Sequence, residues 1–287
     1  MNSNKEKYGP LFIFLSAFLW SLSGIFTKSV AWNGVCLATL RGIIAFIAAG
    51  SLLHWKKIEL NRVKILCAIC YFVQGVLFMC ANKYTTAGNA TVLQNMSPLY
   101  IILMNAVINK KAPKKDELLV CGLLFIGVGL AFAGNLGGGA ALGNIFAMLS
   151  ALFYAGVYFF SKQDGAEPLE SLLLGNACYL FLIPFLVTNQ TVLHTSLQDW
   201  MFLLIFAFLS GFGAWYCFSI GIKYASALQA SFIALAEPVM APMWTFIFLH
   251  EKISSLSLIG FVIVIVTLLV YNIRTAKEKH NQQVNNK

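Results

Sequence analysis

Two ionisable side chains fall inside long apolar stretches of this sequence, where a charge needs a specific reason to be present. Glu237 lies about halfway along the apolar run 225–248, directly before Pro238, and Arg41 lies within the run 33–54. A charge at the centre of a bilayer costs about 2.5–3.5 kcal/mol even on the most lenient scale, so neither side chain is expected to face lipid. A buried carboxyl can bind an amine or exchange a proton, and a guanidinium can bind an anion or pair with a carboxyl.

The composition places these runs in a membrane. The chain has 287 residues, of which 59% are hydrophobic and 11% charged, whereas soluble domains carry about 25% charged residues. Uncharged runs of about 20 residues are long enough to cross a bilayer as helices, which satisfy their own backbone hydrogen bonds. Four stretches contain no Asp, Glu, Lys or Arg: 118–161, 171–198, 200–222 and 253–273. We therefore predict an all-α polytopic membrane protein.

Charged residues and Gly, Asn or Pro breaks divide the chain into ten predicted spans. They lie near 9–29, 33–54, 64–82, 85–109, 117–134, 141–161, 169–188, 200–222, 225–248 and 254–273. The polar tail 274–287 is expected to be cytoplasmic and without regular structure. With the amino terminus inside, 16 of the 20 Lys and Arg residues lie on the inner side and three on the outer side, Arg41 being the remaining one. The positive-inside rule then predicts that both termini are cytoplasmic, in the plasma or inner membrane of the cell.

The chain repeats itself in two blocks that keep the same order. "GPLFIFLSAFLWSLSGIFTKS" at 9–29 matches "GNIFAMLSALFYAGVYFFSKQ" at an offset of 134, and "NKYTTAGNATVLQNMSPLY" at 82–100 matches "IKYASALQASFIALAEPVM" at an offset of 140. Each half holds five predicted spans, and because five is odd the second half enters the membrane from the opposite side. We therefore predict two inverted five-helix repeats, 9–134 and 141–273, with a binding site near the midplane at their interface.

Long paired segments carry a resemblance to a known family. They read "SPLYIILMNAVINKKAPKKDELLVCGLLFIGVGLAF" at 97–132, "AEPVMAPMWTFIFLHEKISSLSLIGFVIVIVTLLVY" at 236–271 and "LRGIIAF" at 40–46. The chain resembles the ten-helix EamA-type branch of the drug/metabolite transporter (DMT) superfamily over about 9–273. The resemblance implies a transporter of small metabolites, often an exporter of amino acids or related compounds. The family often ends its fourth and ninth helices with Gly-Glu, whereas here they end with Lys110-Lys111 and His250-Glu251.

Prolines are predicted to break two of the spans beside the central carboxyl. Pro238 cannot donate to the carbonyl of Ala234, nor Pro242 to the carbonyl of Pro238, and Pro98 occupies the position equivalent to Pro238 in the first half. Broken helices are tolerated where they line a cavity. The predicted cavity residues, from the helical face of Glu237, its counterpart in the first half and the aromatic spans, are Glu237, Gln229, Trp244, Trp20, Gln74, Gln94, Ser97, Tyr154, Trp215 and Tyr216.

Glu237 and Arg41 each leave alternatives open. Glu237 is either the group at which substrate and proton compete, which would make transport proton-coupled, or a protonated side chain that only packs helices together. Arg41 is a charge partner of a carboxyl or a helix terminus, a contact for a substrate anion, or a side chain that reaches outward to the interface. Because the central charge is acidic, we expect a small and partly apolar substrate with an amine or a neutral polar group.

Other classes of protein lack support in the sequence. The chain has no HExxH motif, no phosphate-cradling Gly loop and no paired acids within a span, so we expect no enzyme, no metal, no cofactor and no nucleic-acid partner. Transport is expected to use alternating access and a gradient or exchange; a channel or lipid scramblase is the alternative, and a membrane enzyme a weaker one. Small residues in the spans are expected to let helices approach closely: Gly122, Gly127, Gly129, Gly211, Gly213 and Gly221.

Overall fold

The protein is helical throughout the part of the chain that the structure describes. This computed structural model describes residues 3–108, 110, 115–133, 140–193, 195–234, 236–250 and 254–285. Among these residues, eight helical segments are long and apolar enough to cross a membrane. A helix also occupies the fifth predicted position, Lys115–Ala133, and the tenth begins with the apolar stretch Ser255–Tyr271. The prediction of an all-α polytopic membrane protein is confirmed, and we number the ten helical segments spans 1 to 10.

Five spans are single helices. Spans 2, 3, 5, 6 and 10 are Gly34–Leu52, Arg62–Tyr84, Lys115–Ala133, Ala140–Phe160 and Ser255–Asn285. Spans 2 and 3 each begin after a capping residue. The side chains of Asn33 and Asn61 accept a hydrogen bond from a backbone N–H in the first turn of spans 2 and 3, respectively. Span 10 continues well beyond the apolar region, so the expectation of an irregular tail after Arg274 is wrong as far as Asn285. The Lys, Glu and Gln residues that follow have high helix propensity and extend the helix.

The other five spans are interrupted. Span 1 is Ser3–Ser21 and Ser23–Ser29; span 4 is Ala87–Gln94 and Ser97–Ile108; span 9 is Ala227–Ile233 and Ala236–Leu249. Span 7 passes from Pro168–Ala177 through a 3-10 turn, Cys178–Leu182, to Ile183–Val187. Span 8 passes from Leu197–Phe206 through a π-helical segment, Ala207–Gly213, to Ala214–Gly221 and a 3-10 turn, Ile222–Tyr224, and the short helix Gln190–Leu193 precedes it.

Two of the three predicted proline breaks are present. Spans 4 and 9 are each interrupted just before their shared proline, Pro98 or Pro238, as expected from the missing N–H. The predicted break at Pro242 is wrong, because the helix Ala236–Leu249 continues through it. A membrane helix tolerates one lost hydrogen bond when local adjustments and neighbours compensate. The carbonyl of Ala234 is not free either, since it accepts the Glu237 N–H at 2.9 Å.

The spans of one half pack mainly against spans of the other. Span 3 packs on spans 6 and 7, and span 8 packs on spans 1 and 2. Span 4 packs on span 6, and span 9 on span 1. Spans 2 and 7, 4 and 9, and 5 and 10 contact each other. The pattern of contacts therefore stays the same when each span is replaced by the span at the same position in the other half. For example, the contact of spans 3 and 6 corresponds to that of spans 8 and 1, and the contact of spans 4 and 9 corresponds to itself.

Glycine contacts repeat across the two halves. A Cβ on Gly9 would lie 2.6 Å from Cβ of Tyr224, and a Cβ on Gly143 would lie 2.6 Å from the Thr85 nitrogen. Gly9 and Gly143 are equivalent in the sequence repeat, as are Tyr224 and Tyr84 beside Thr85. Gly127, Gly211, Gly213 and Gly221 also meet neighbouring atoms closely. Gly122 and Gly129 do not, since a Cβ on either would meet no described atom within 4 Å; the expectation of close packing was wrong for these two.

Lysines at the ends of spans 1 and 6 donate hydrogen bonds to backbone carbonyls at the ends of neighbouring spans. Lys28 Nζ donates to the Thr85 carbonyl at 2.7 Å, and Lys162 Nζ donates to the Ile222 carbonyl at 3.1 Å. Each lysine thus meets the end of the third span of its own half. Partial burial lowers the pKa of the Lys162 ammonium. On the side of Lys162, the Lys64 ammonium also pairs with the Glu170 carboxylate at 2.5 Å, which ties span 3 to span 7.

Candidate functional site

A small cavity lies between the two halves, where spans 1, 2, 3, 4, 6, 8 and 9 meet. About 30 Å³ of it is open to the centre of a water molecule, which is room for about two waters. The cavity therefore offers a space that is smaller than an organic metabolite. Its lining consists of Trp20, Ser23, Arg41, Gln74, Gly75, Phe78, Met79, Gln94, Tyr154, Phe206, Ser210, Trp215 and Glu237.

Glu237 supplies the carboxyl of this cavity. Its side chain is 2% exposed, and it leaves the first turn of the helix Ala236–Leu249, directly after the interruption in span 9. The side chain of Asn95, from the equivalent interruption in span 4, interacts with the carboxyl. Oε2 has no hydrogen-bond partner among the described residues. A buried polar atom without a partner is costly, so this oxygen is available to a cation, a proton or water.

The first half contributes amides and a hydroxyl that are already bonded to each other. Gln94 Nε2 donates to Gln74 Oε1 at 2.9 Å and to Ser150 Oγ at 2.7 Å. Ser150 Oγ in turn donates to the backbone carbonyl of Gln74 at 3.1 Å. This network joins spans 3, 4 and 6 on the wall of the cavity. Because its members satisfy one another, it is a rigid polar surface.

Aromatic rings form the apolar wall. The ring of Trp20 meets that of Trp215 edge-on at 4.7 Å between centroids and that of Tyr154 at 5.7 Å. Tyr71 packs against Trp215 from behind at 4.5 Å, and its hydroxyl donates to Asn176 Oδ1 at 3.1 Å. Edge-to-face pairs of this kind are stabilising beyond the area that they bury. Spans 1, 3, 6 and 8 thus contribute a contiguous aromatic cluster, of which Trp20, Tyr154 and Trp215 line the same cavity as Glu237.

Arg41 reaches the same cavity from span 2. Its side chain is 4% exposed, its Nη2 donates to the Tyr179 hydroxyl at 3.4 Å, and its guanidinium lies 5.8 Å from the centre of the Phe206 ring. Nε has no partner among the described residues. The guanidinium and the Glu237 carboxyl line one cavity without forming an ion pair, since the charged pairs seen in the described ranges join other groups.

Two predicted residues of span 9 lie outside the cavity lining. Gln229 faces its own helix start, where its Oε1 accepts the Ser226 N–H at 3.2 Å and its N–H donates to Ser226 Oγ at 3.1 Å. Trp244 Nε1 donates to Ser21 Oγ at 3.0 Å and fixes span 9 to the interruption in span 1. Gln229 is separated from Glu237 by the interruption in span 9, so the two do not share one continuous helical face. Trp244 lies in the same helix as Glu237 but about two turns further along it.

Two further candidates also lie outside the lining. Ser97, the equivalent of Glu237, is 1% exposed but does not border the cavity. Tyr216 is half-buried and stacks on Phe212 at 5.7 Å between ring centroids. By contrast, the structure brings six of the predicted cavity residues together, with Arg41 as a seventh: Trp20, Gln74, Gln94, Tyr154, Trp215 and Glu237.

The sequence analysis missed the contribution of the middle of span 8. Ser210 lines the cavity from the π-helical segment Ala207–Gly213, and its hydroxyl donates to the Leu19 carbonyl at 2.7 Å. A Cβ on Gly211 would lie 2.9 Å from Cγ of Arg41. Segments of π-helix are frequent at functional sites. The pair of glycines around Phe212 was the available signal for a local irregularity.

Comparison with known proteins identifies the family. The EamA-like transporter family matches residues 7–133 and, a second time, residues 141–273. The chain belongs to the EamA-like transporter family. An uncharacterized transporter of Archaeoglobus fulgidus is 24% identical over 271 residues, which cover 92% of this chain and 96% of that protein. The family and the names of the relatives point to a transporter, and in the described part of the chain no three His, Cys, Asp or Glu residues are grouped as metal ligands.

Other relatives of this EamA-like chain are similar over nearly their whole length. The uncharacterized transporter YwfM of Bacillus subtilis is 23% identical, with 94% of this chain and 95% of that protein covered. The pseudopaline exporter CntI of Pseudomonas aeruginosa is 22% identical, with 94% and 98% covered. A protein of known crystal structure superposes with a TM-score of 0.68 at 16% identity, covering 94% of this chain and 98% of that one, which shows a shared fold.

Proposed function

We propose that this protein is a secondary transporter that exports a small amine-bearing metabolite across the cell membrane by alternating access. The observation that carries the proposal is the small cavity between the halves, in which the buried Glu237 carboxyl keeps one oxygen without a hydrogen-bond partner among the described residues. The aromatic wall beside it suits a partly apolar substrate, because ring faces attract cations as well as apolar groups. The export direction is supported by one relative, the pseudopaline exporter CntI of Pseudomonas aeruginosa.

The two halves are proposed to be inverted repeats of five spans each, 9–134 and 141–273. The double family match, the reciprocal packing of the spans and the paired glycine contacts of Gly9 and Gly143 support this arrangement. Inverted repeats give a transporter two conformations of similar energy, since each half can adopt the arrangement of the other. The cavity is too small for a metabolite in this conformation, so the substrate is proposed to enter after one set of spans moves.

Proton coupling is proposed to arise from competition at Glu237. In a cavity without bulk water, the neutral form of a carboxyl is favoured over the charged form, and a cationic amine favours the charged form. A substrate amine and a proton therefore exclude each other at this one group. Arg41 does not pair with Glu237 in this conformation, which leaves the carboxyl free to alternate between the two ligands.

Proton movement in proteoliposomes tests the proposal. Vesicles loaded with a pH-sensitive dye receive the proteinogenic L-amino acids and their decarboxylated amines one at a time. Exchange predicts that the lumen becomes more alkaline as the compound enters and protons leave, at a rate that saturates with concentration. Glu237→Gln vesicles serve as the control for passive permeation of amines. An ohmic current points instead to a channel, lipid exchange between leaflets to a scramblase, and chemical conversion of the compound to an enzyme.

The orientation is tested separately. We propose that both termini are cytoplasmic, because the predicted inner side carries most of the Lys and Arg residues. Single cysteines at Asn2, which lies outside the described residues, and at Asn285 are introduced into a cysteine-free variant. Both are expected to resist an impermeant thiol reagent in intact cells and to react after permeabilisation. Labelling of either in intact cells overturns the orientation without affecting the proposed transport.

A further inference from the structure

We propose that Arg41 forms a second subsite of the cavity, which binds the carboxylate of a substrate whose amine meets Glu237. The inference rests on the proposed function and deepens it, because it requires a zwitterionic substrate with both groups present. Among the described residues, no carboxylate forms an ion pair with the Arg41 guanidinium. Arginine stays protonated in proteins, so the guanidinium is a permanent positive charge in an almost fully buried position.

The described side chains around Arg41 contact the guanidinium but do not balance its charge. Its hydrogen bond goes to the neutral hydroxyl of Tyr179, and its Cζ lies 5.8 Å from the centre of the Phe206 ring. The carboxylates of Glu170 and Glu167 each pair with a lysine instead. An unpaired buried charge is strongly destabilising, and Nε adds a donor that has no acceptor among the described residues.

Glycines make the space in which this guanidinium lies. A Cβ on Gly75 would lie 2.1 Å from the Tyr179 hydroxyl and 3.0 Å from Nη2 of Arg41. A Cβ on Gly211 would lie 2.9 Å from Cγ of Arg41, and one on Gly42 would lie 2.1 Å from the ring of Tyr179. Three different spans thus leave out a side chain at the points where Arg41 and Tyr179 meet. This built position argues for a specific role beyond filling space.

The side chains of Glu237 and Arg41 line one cavity. Glu237 Oε2 and Arg41 Nε each lack a hydrogen-bond partner among the described residues, yet the two side chains do not pair with each other. A ligand with one cationic and one anionic group satisfies both at once, whereas an amine alone leaves Arg41 as it is. The guanidinium offers two parallel N–H donors, the geometry that a carboxylate accepts best.

Binding of matched compounds tests the subsite. The shift in thermal unfolding of the purified protein in detergent is measured with each proteinogenic L-amino acid. For the acid with the largest shift, its decarboxylated amine and its deaminated acid are then titrated. Wild-type protein is expected to bind the amino acid roughly 10- to 100-fold more tightly than either analogue, the difference that loss of a charged hydrogen-bond partner produces. In Arg41→Gln the amino acid is expected to bind no more tightly than the amine.

Controls separate a binding role from a structural one. Arg274→Gln removes an exposed arginine outside the cavity and is expected to keep the preference for the amino acid. If Arg41→Gln does not fold, Arg41→Lys keeps the charge without the paired donors and is expected to reduce the preference. The proposal is overturned if the amine binds wild-type protein as tightly as the amino acid, if Arg41→Gln keeps the preference, or if no amino acid shifts unfolding.

These outcomes are distinct from failure of the proposed function. If amines drive Glu237-dependent proton movement as well as their parent amino acids do, the transporter stands and the subsite at Arg41 falls. If amino acids bind in an Arg41-dependent way but drive no proton movement, the subsite stands and proton-coupled transport falls.

Discussion

The interruptions of spans 4 and 9 occupy equivalent places in the two halves but carry different chemistry. Both lie just before a proline, Pro98 or Pro238, and both lie close to the cavity. In span 4 the polar groups nearest the cavity are amides, and the Gln94 side chain donates two hydrogen bonds within the protein. In span 9 the corresponding region presents the Glu237 carboxyl, whose Oε2 lacks a partner among described residues.

This difference distinguishes the backbone feature that the two halves share from the side chains that are available to a ligand. The backbone interruption is shared, because the proline that causes it is shared. The side chains differ between the halves. In the first half, an amide network whose members bond to each other stabilises the cavity wall, whereas in the second half a carboxyl oxygen is left available to a ligand. Ser97, although equivalent to Glu237 in the repeat, does not border the cavity. Four predictions test how far this asymmetry extends.

The largest expected effect is at the carboxyl itself. Glu237→Gln keeps the shape but cannot titrate, so substrate-driven proton movement in proteoliposomes is expected to be lost completely while insertion stays near normal. Ser97→Ala, the matched change in the other half, is expected to keep proton movement near the wild-type rate. If Glu237→Gln still moves protons at the wild-type rate, Glu237 only packs helices. If both variants lose proton movement equally, the proposed difference between the two interruptions is wrong.

A carboxyl moved to the equivalent position is expected to be harmful. Ser97 is 1% exposed and outside the cavity lining, so Ser97→Glu places a charge in a buried position that does not border the cavity. The unfolding free energy in mixed micelles is expected to fall by about 3–5 kcal/mol, as for other uncompensated buried charges. Glu237→Ser is expected to be tolerated much better. Similar stability of the two variants contradicts the assignment of the cavity to the Glu237 side.

Glycines that border the cavity are expected to differ from glycines that face outward. Gly75→Ala brings a methyl group to 2.1 Å from the Tyr179 hydroxyl, and such overpacking costs roughly 1–3 kcal/mol of unfolding free energy. Gly122→Ala meets no described atom within 4 Å and is expected to gain about 0.5–1 kcal/mol from helix propensity. The unfolding free energies of both variants are measured in the same detergent. If Gly75→Ala is as stable as the wild-type protein, the expected difference between the two kinds of glycine is wrong.

The smallest expected effect is at the two equivalent lysines. Lys28→Met and Lys162→Met each remove hydrogen bonds to backbone carbonyls at the end of a neighbouring span. Each change is expected to cost about 1 kcal/mol of unfolding free energy, the usual net value of a hydrogen bond. Since the two sites are equivalent in the repeat, the costs should be similar. A severe loss in one variant alone indicates that the two ends of the molecule are not equivalent in stability.

The sequence by itself determined the class of the protein and the positions of its helices. Hydropathy depends on local composition, and the bilayer forces an apolar run to be a helix, so all ten predicted positions contain one. The interruptions before Pro98 and Pro238 were also predictable, because a proline lacks its N–H whatever surrounds it. Glu237 and Arg41 were recognisable as candidates because a charge in an apolar run is rare in any fold.

Tertiary structure alone decided which of these groups meet. The helical face that joined Gln229 to Glu237 assumed a continuous helix, which the interruption of span 9 rules out. Trp244 shares a helix with Glu237, but its indole bonds to Ser21 and lies outside the cavity lining. Tyr179 and Gly75 lie more than a hundred residues apart, and their contact around Arg41 depends on how spans 2, 3 and 7 pack. Long-range packing of this kind leaves no local pattern, which is why the pairing of Arg41 with Tyr179, and its separation from Glu237, required the fold.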